Sequence, residues 1–105
     1  RDEWRWAMTT FILLSKISLR SPGEVRALSA MDREFDRRLK EECPEVRRIA
    51  SYALLGEYDF LHIFEAPDAK SAARVALLAN VFGHCTTQTL TAIPFEEFRE
   101  IVEKM

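Results

Sequence analysis

Glycine is scarce in this sequence: three residues in 105, too few for the glycine-rich loops that cradle phosphate groups. A G-x-S-x-G motif, typical of serine hydrolases, is also missing. The two cysteines, Cys43 and Cys85, are too few for a disulfide framework. We expect them to be free thiols, because the predicted topology places them at opposite ends of a sheet. The sequence therefore argues against several common enzyme classes.

Long apolar runs and a strong net charge are missing too. No run reaches the roughly 18 apolar residues of a membrane span, and the first eight residues lack the features of a signal peptide, so we expect a cytoplasmic protein without membrane association. The formal net charge of -2 disfavours nucleic-acid binding. Basic residues alternate with acidic ones in mid-chain, which indicates a solvated face: Arg37, Arg38, Lys40, Arg47 and Arg48.

Metal-ligand patterns are weak. His84 and Cys85 are adjacent, so they would point to opposite faces of a strand, and no other histidine–cysteine pair has zinc-like spacing. We therefore predict neither a metal site nor a cofactor.

The hydrophobic pattern predicts alternating strands and helices. Residues 9–18 are apolar on both parities, which favours a central strand. Residues 21–24 (SPGE) form a helix start, and the helix runs to about Cys43 with one apolar stripe. Asp68 is the predicted N-cap of a second helix over 69–82. A threonine-rich strand over 84–93 and a short amphipathic helix from Pro94 complete the chain.

Residues 46–67 predict a hairpin, with Gly56 supplying the unusual φ of a tight turn. In its second strand Tyr58, Phe60, His62 and Phe64 share one parity. A two- or four-residue loop would place Ile49, Ser51, Ala53 and Leu55 beside Phe64, His62, Phe60 and Tyr58; a three-residue loop would reverse the faces.

The resulting order, βαββαβ plus a terminal helix, predicts an α+β, ferredoxin-like fold: a four-stranded antiparallel sheet with helices on one face. Both strand parities are apolar, so the uncovered sheet face should be apolar as well. We therefore expect a homodimer, or a higher oligomer, that forms through these sheet faces.

Several segments in order resemble the GYD domain family: residues 55–59 (LGEYD), 65–68 (EAPD) with the alanine-rich helix, and 87–92 with 95–98. The resemblance implies a dimeric α+β barrel, a superfamily that includes cofactor-independent monooxygenases, heme-handling barrels and effector domains. The GYD family itself has no established reaction. We assign residues 9–105 to one GYD-like domain and residues 1–8, with Trp4 and Trp6, to an N-terminal extension. At 83–85, Gly-His-Cys departs from the family pattern.

His62 is the best candidate catalytic residue. We expect it to point from the bare sheet face into the barrel interior, where a mostly apolar pocket would hold a small apolar or aromatic ligand. The candidate pocket residues are Ser51, Tyr52, Tyr58, Phe60, His62 and Phe64. The preferred hypothesis is a homodimeric small-molecule-binding or assembly domain. The alternative is a cofactor-independent monooxygenase-like enzyme acting on a small aromatic or quinol-type substrate.

Overall fold

A computed structural model describes residues 8–17, 22–83 and 85–105. The elements are β1 (Thr9–Ile17), α1 (Pro22–Arg26), α2 (Leu28–Glu42), β2 (Arg47–Ala53), β3 (Phe60–Ala66), α3 (Ala69–Gly83), β4 (Cys85–Ala92) and α4 (Phe95–Glu103). The predictions that concern Trp4, Trp6, Ser21 and His84 lie outside the described residues.

The four strands form one antiparallel sheet in the order β2-β3-β1-β4. This is the ferredoxin-like plan, and it confirms the predicted fold class. The two central strands, β1 and β3, are those whose sequences are apolar on both parities. Because residues directly opposite each other in an antiparallel pair share a face, the register of these strands decides which side chains meet the helices.

The first predicted helix is two helices in the structure, separated by a turn at Ala27. Ala27 keeps right-handed helical backbone angles, and its N–H bonds to the carbonyls of both Gly23 and Glu24. The helical path is therefore interrupted for one residue only, and the chain does not reverse direction there. The N-cap prediction for α3 is confirmed, because the backbone N–H of Ser71 donates to Asp68 Oδ1 at 2.9 Å.

The core lies between the sheet and the inner faces of α2 and α3. It contains buried residues from β1, β3 and both helices: Phe11, Leu13, Phe35, Leu39, Cys43, Phe64, Ala66, Ala72, Val75 and Ala79. The rings of Phe11 and Phe64 stack with their centroids 5.6 Å apart. Both described cysteines are free thiols, as predicted. The face of the sheet that carries this core is called the covered face below.

The opposite face of the sheet, the open face, meets no described helix. It presents half-buried or exposed apolar side chains from all four strands: Ile12, Leu14, Ala50, Leu61, Ile63 and Leu90. The sequence predicted an apolar face here, and the structure has one.

Helix α4 makes almost no contact with the other described elements. Its apolar stripe is exposed along its whole length, from Phe95 at 69% through Phe98 and Ile101 to Val102 at 48%. Such a stripe on an isolated short helix needs a surface to pack against.

The loop between β2 and β3 differs from the predicted tight turn. It spans residues 54–59, and Gly56 does not adopt the left-handed φ that we expected. A Cβ at Gly56 would also meet no atom within 4 Å. Asp59 closes the loop instead: its Oδ2 accepts the Ile17 N–H at 2.7 Å, and its own N–H donates to the Ser15 carbonyl at 2.8 Å.

The hairpin register agrees with the prediction near the loop and departs from it further away. Ser51 lies opposite His62, as predicted for a two- or four-residue loop. A bulge between Arg48 and Ala50 then shifts the register, so that Arg48 rather than Ile49 lies opposite Phe64. The predicted pairing of Ile49 with Phe64 is therefore wrong. Ile49 is exposed, and the extra residue turns Arg48 toward the covered face.

Within the described residues, every helix falls short of the length and apolar character that crossing a bilayer requires.

Candidate functional site: a cavity beneath helix α2

His62 lies on the covered face, so its predicted position on the bare face is wrong. It pairs with Leu13 of β1, which is 1% exposed beneath the helices. Its ring lies 6.4 Å from the ring of Phe35 on α2, centroid to centroid. The imidazole is therefore enclosed by the sheet and α2 of its own chain.

The physical reason for this error lies in the two central strands. Phe60, His62 and Phe64 do share one face, as predicted, but the residues between them are apolar too. Periodicity then shows that two faces exist without showing which one the helices cover. The pairing of Phe11 with Phe64 settles it, because both of these side chains are buried in the core.

A cavity of about 330 Å³ lies between α2 and the sheet, next to His62. Most of its lining is apolar and comes from the sheet, from α2 and from α3: Leu13, Ile17, Leu28, Met31, Phe35, Phe60, Ala79 and Cys85 among others. Polar groups cluster where β2 faces α2: Asp32, Arg48, Ser51 and His62. A mostly apolar cavity with a few polar groups is typical of small-molecule sites, and this one is at the small end of their range.

Arg48 organises the polar end of the cavity. Its side chain is only 21% exposed, and it forms ion pairs with Asp32 (2.9 Å) and Asp36 (3.4 Å) of α2. Its Nε donates to Ser51 Oγ at 3.1 Å, and its guanidinium lies 5.6 Å from the centre of the Phe35 ring. One arginine on β2 thus holds the sheet to α2 at this point.

His62 Nδ1 lies 2.7 Å from Ser51 Oγ and 3.3 Å from Arg48 Nη2. Guanidinium nitrogen can only donate, so Nδ1 must accept and the imidazole proton must sit on Nε2. Burial lowers the pKa of His62, and the positive charge of Arg48 lowers it further, against a smaller opposing effect of Asp32. The ring is therefore a neutral Nε2–H tautomer at neutral pH.

This arrangement determines what His62 can do chemically. Its basic nitrogen already accepts hydrogen bonds from the protein, and its other nitrogen carries the proton. The ring is therefore set up to donate a hydrogen bond to a bound molecule rather than to remove a proton from it.

The predicted pocket residues fall into two groups. Ser51, Tyr52, Phe60 and His62 line the cavity, whereas Tyr58 and Phe64 are not among its lining residues. Phe64 is core, and the Tyr58 hydroxyl donates to Gln88 at the open face. Their pocket assignments therefore do not fit this cavity.

Sequence reasoning missed Arg48 and Asp32. The alternation of basic and acidic residues predicts a solvated charged face that includes Arg48. That prediction fits Arg37 and Lys40, which form exposed ion pairs along α2. Only the bulge turns Arg48 inward, and no sequence signal marks a bulge at Ile49. The described part of the chain contains no group of three or more His, Cys, Asp and Glu side chains placed to hold a metal ion.

The fold and its sheet pairing define a ferredoxin-like α+β domain. Residues 11–102 match the model of the GYD domain, so the chain belongs to the GYD domain family. The structural basis of the family-like segment 56–59 is then visible, since Asp59 ties the β2–β3 loop to the end of β1.

A curated relative from Thermus thermophilus, named glutamine synthetase and cystathionine beta-lyase binding protein, is 35% identical over 95 residues. The alignment covers 83% of this chain and 90% of the relative.

Two solved structures resemble the fold. One is a dimeric protein of unknown function with a ferredoxin-like fold from Bacteroides fragilis (TM-score 0.52, 11% identity, covering 82% of this chain and 93% of that chain). The other is a dabb family protein with a ferredoxin-like fold from Mesorhizobium loti (TM-score 0.48, 14% identity, covering 83% and 96%).

Proposed function

We propose that this chain is a homodimeric binding domain that docks on other proteins, metabolic enzymes among them, and performs no reaction of its own. The observation that carries this proposal is the open face, an apolar sheet surface that no described helix covers. A contiguous apolar surface on a small domain is typical of an interaction site.

A second copy of the chain is the occupant that fits the open face. The face is self-complementary in character, since apolar side chains from all four strands would meet the same set from the partner. Two sheets packed face to face bury both surfaces at once. The exposed stripe of α4 supports the same arrangement, because a helix that scarcely touches the other described elements is free to pack on another copy.

The partner-binding step of the proposal is supported by the Thermus thermophilus relative, whose name describes binding to two enzymes. A dimer that pairs its sheets leaves α2 and α3 outermost. There Leu77 and Val81 of α3 are 62% and 63% exposed, beside a groove lined by Arg38 and Arg74. We propose that enzyme partners contact this outer helix surface.

Sedimentation velocity of the purified chain tests the dimer. We expect a dimer at micromolar concentration, and a monomer for Ile63→Asp, because a carboxylate in a buried sheet interface has no partner. Leu90→Asp, on edge strand β4, provides a milder second variant in case Ile63→Asp does not fold. A wild-type monomer, or dimers in both folded variants, would contradict the proposal.

Binding to glutamine synthetase and cystathionine beta-lyase tests the partner step. Both Thermus thermophilus enzymes and their counterparts from the organism that encodes this chain can be immobilised and titrated with wild type and Leu77→Asp. We expect wild type to bind at least one enzyme and Leu77→Asp to lose that binding while remaining dimeric. Ile63→Asp should lose dimerisation instead, because it changes the open face and not the outer helix surface. The two variants therefore test the two surfaces independently.

The monooxygenase-like alternative needs His62 as a base. The hydrogen bonds from Ser51 and Arg48 occupy the basic nitrogen, which supports binding over catalysis. Oxygen consumption with quinol or phenol substrates provides the check: turnover that disappears in His62→Phe, in a variant that remains folded, would favour the enzyme.

A further inference from the structure

We propose that the cavity beneath α2 binds a small uncharged molecule with an apolar body and one hydrogen-bond acceptor, which the Nε2–H of His62 recognises. This goes beyond the protein docking proposed above and does not rest on it, because the cavity and the open face lie on opposite sides of the sheet.

The size and lining of the cavity determine the body of the ligand. A volume of about 330 Å³ is enough for one or two rings. Apart from its polar end and two further serines, Ser15 and Ser29, the lining is mainly aliphatic and aromatic, with Leu13, Phe35 and Phe60 among its members. An apolar ligand body would therefore be removed from water against a mostly apolar surface.

The charges at the polar end favour a neutral ligand. Arg48 is paired with Asp32 and Asp36, and Asp36 is also bonded to Lys40 at 3.1 Å. The two cations and two carboxylates compensate each other. An ionised ligand would thus enter a mostly apolar space without a counter-charge, which is costly.

The hydrogen-bond pattern around His62 determines the ligand's polar group. Nδ1 is occupied by Ser51 and Arg48, and no described residue bonds Nε2. Because the Nε2 hydrogen is a donor, its partner must be an acceptor such as a carbonyl or ether oxygen. A ligand without an acceptor would leave this donor unpaired and bind more weakly.

Three probes of similar size separate these requirements: acetophenone (neutral, one acceptor), ethylbenzene (neutral, no acceptor) and benzoate (charged). Each is titrated into the ¹⁵N-labelled chain and followed by amide and imidazole NMR. Acetophenone should shift His62 Nε2 and the amides of Leu13 and Phe35, while the amide of Val102 on the exposed helix α4 stays unchanged. We expect it to bind at least about fivefold more tightly than either other probe.

Two pairs of variants test the location and the donor. Ala79→Leu should fill the cavity and abolish binding, whereas Ala73→Leu, the same change at an exposed position of α3, should bind like wild type. If Ala79→Leu does not fold, Ala53→Leu at the exposed edge of the cavity replaces it. His62→Phe should bind acetophenone and ethylbenzene equally.

The proposal is overturned if acetophenone fails to bind up to its solubility limit, or if its shifts persist in the folded cavity-filling variant. Tighter binding of benzoate would overturn the assignment of a neutral ligand. A preference for acetophenone that survives in His62→Phe would overturn the donor assignment. Sedimentation and enzyme binding are measured separately, so failure here leaves the proposed dimer and docking function intact.

Discussion

The two faces of the sheet are formed by alternate residues of the same strands, yet they differ in what they pack against. The covered face packs Phe11, Leu13 and Phe64 against α2 and α3 and leaves a cavity with a polar end. The open face carries Ile12, Leu61 and other apolar side chains, and no helix in the described part of the chain lies above them. A single apolar pattern thus supplies both a core and an interaction surface, and only tertiary packing distinguishes them.

Leu13→Ala and Ile12→Ala change neighbouring residues on opposite faces of the sheet. Of the comparisons proposed here, these two variants should differ most in how far they lower the free energy of unfolding. Leu13 is fully buried, so its truncation should lower the free energy of unfolding by about 2–5 kcal/mol at any protein concentration. Ile12→Ala should act mainly through the dimer, so its effect should grow with protein concentration. Urea denaturation at several concentrations provides the measurement, and equal, concentration-independent losses would remove the distinction between the faces.

Arg48→Met and Arg47→Met compare two adjacent arginines that the bulge directs to different sides. Arg48→Met breaks the contacts with Asp32, Asp36 and Ser51 and should cost about 1–2 kcal/mol of unfolding free energy. It should also raise the pKa of His62, since a nearby positive charge disappears. Arg47→Met, at an exposed position, should cost under about 1 kcal/mol and leave that pKa unchanged. Chemical denaturation and histidine NMR titration measure both effects; a reversed order would mean that the bulge does not turn Arg48 inward.

A pH series tests the covered face alone. The pKa of His62 is lower in the folded chain than its ordinary value of 6.5, chiefly through burial. The unfolded chain therefore takes up this proton first as the pH falls, and stability should decrease on acidification below about 6.5. His62→Phe should flatten the stability profile between pH 6.5 and the range where carboxylates titrate. An unchanged slope in that variant would show that another group causes the loss.

Gly56→Ala should give the smallest effect. The backbone there is not left-handed and a Cβ meets no atom, so the substitution should stabilise the chain by about 0.4–1 kcal/mol through the unfolded state. Thermal unfolding measures this change in stability. The oligomeric state and the near-ultraviolet circular dichroism spectrum should stay the same as in wild type and serve as controls. A loss of stability would show that the loop needs glycine after all.

The order of elements could be predicted from the sequence because its signals are local. Asp68 caps α3, Pro94 precedes α4, and the strand parities are clear over residues 9–17 and 60–66. The site could only be predicted in part. Ser51 and His62 were brought together correctly, since both lie near the loop that sets the register.

The predictions that were wrong concern features that depend on tertiary packing. The covered face could not be identified from strands that are apolar on both parities. The inward turn of Arg48 follows from one extra residue in β2, which changes no local composition. The backbone of Gly56 was inferred from the residue type, whereas the six-residue loop and Asp59 remove the need for a tight turn.

The bulge in β2 has a further consequence for the borders of the sheet. Strands β2 and β4 are the two edges, where unpaired backbone groups can template the addition of a strand from another molecule. The irregularity at Ile49 interrupts that template on the β2 side. Strand β4 keeps an uninterrupted register with β1 over residues 85–92 and has no such protection. Side-by-side growth of the sheet into larger assemblies or aggregates should therefore begin at β4.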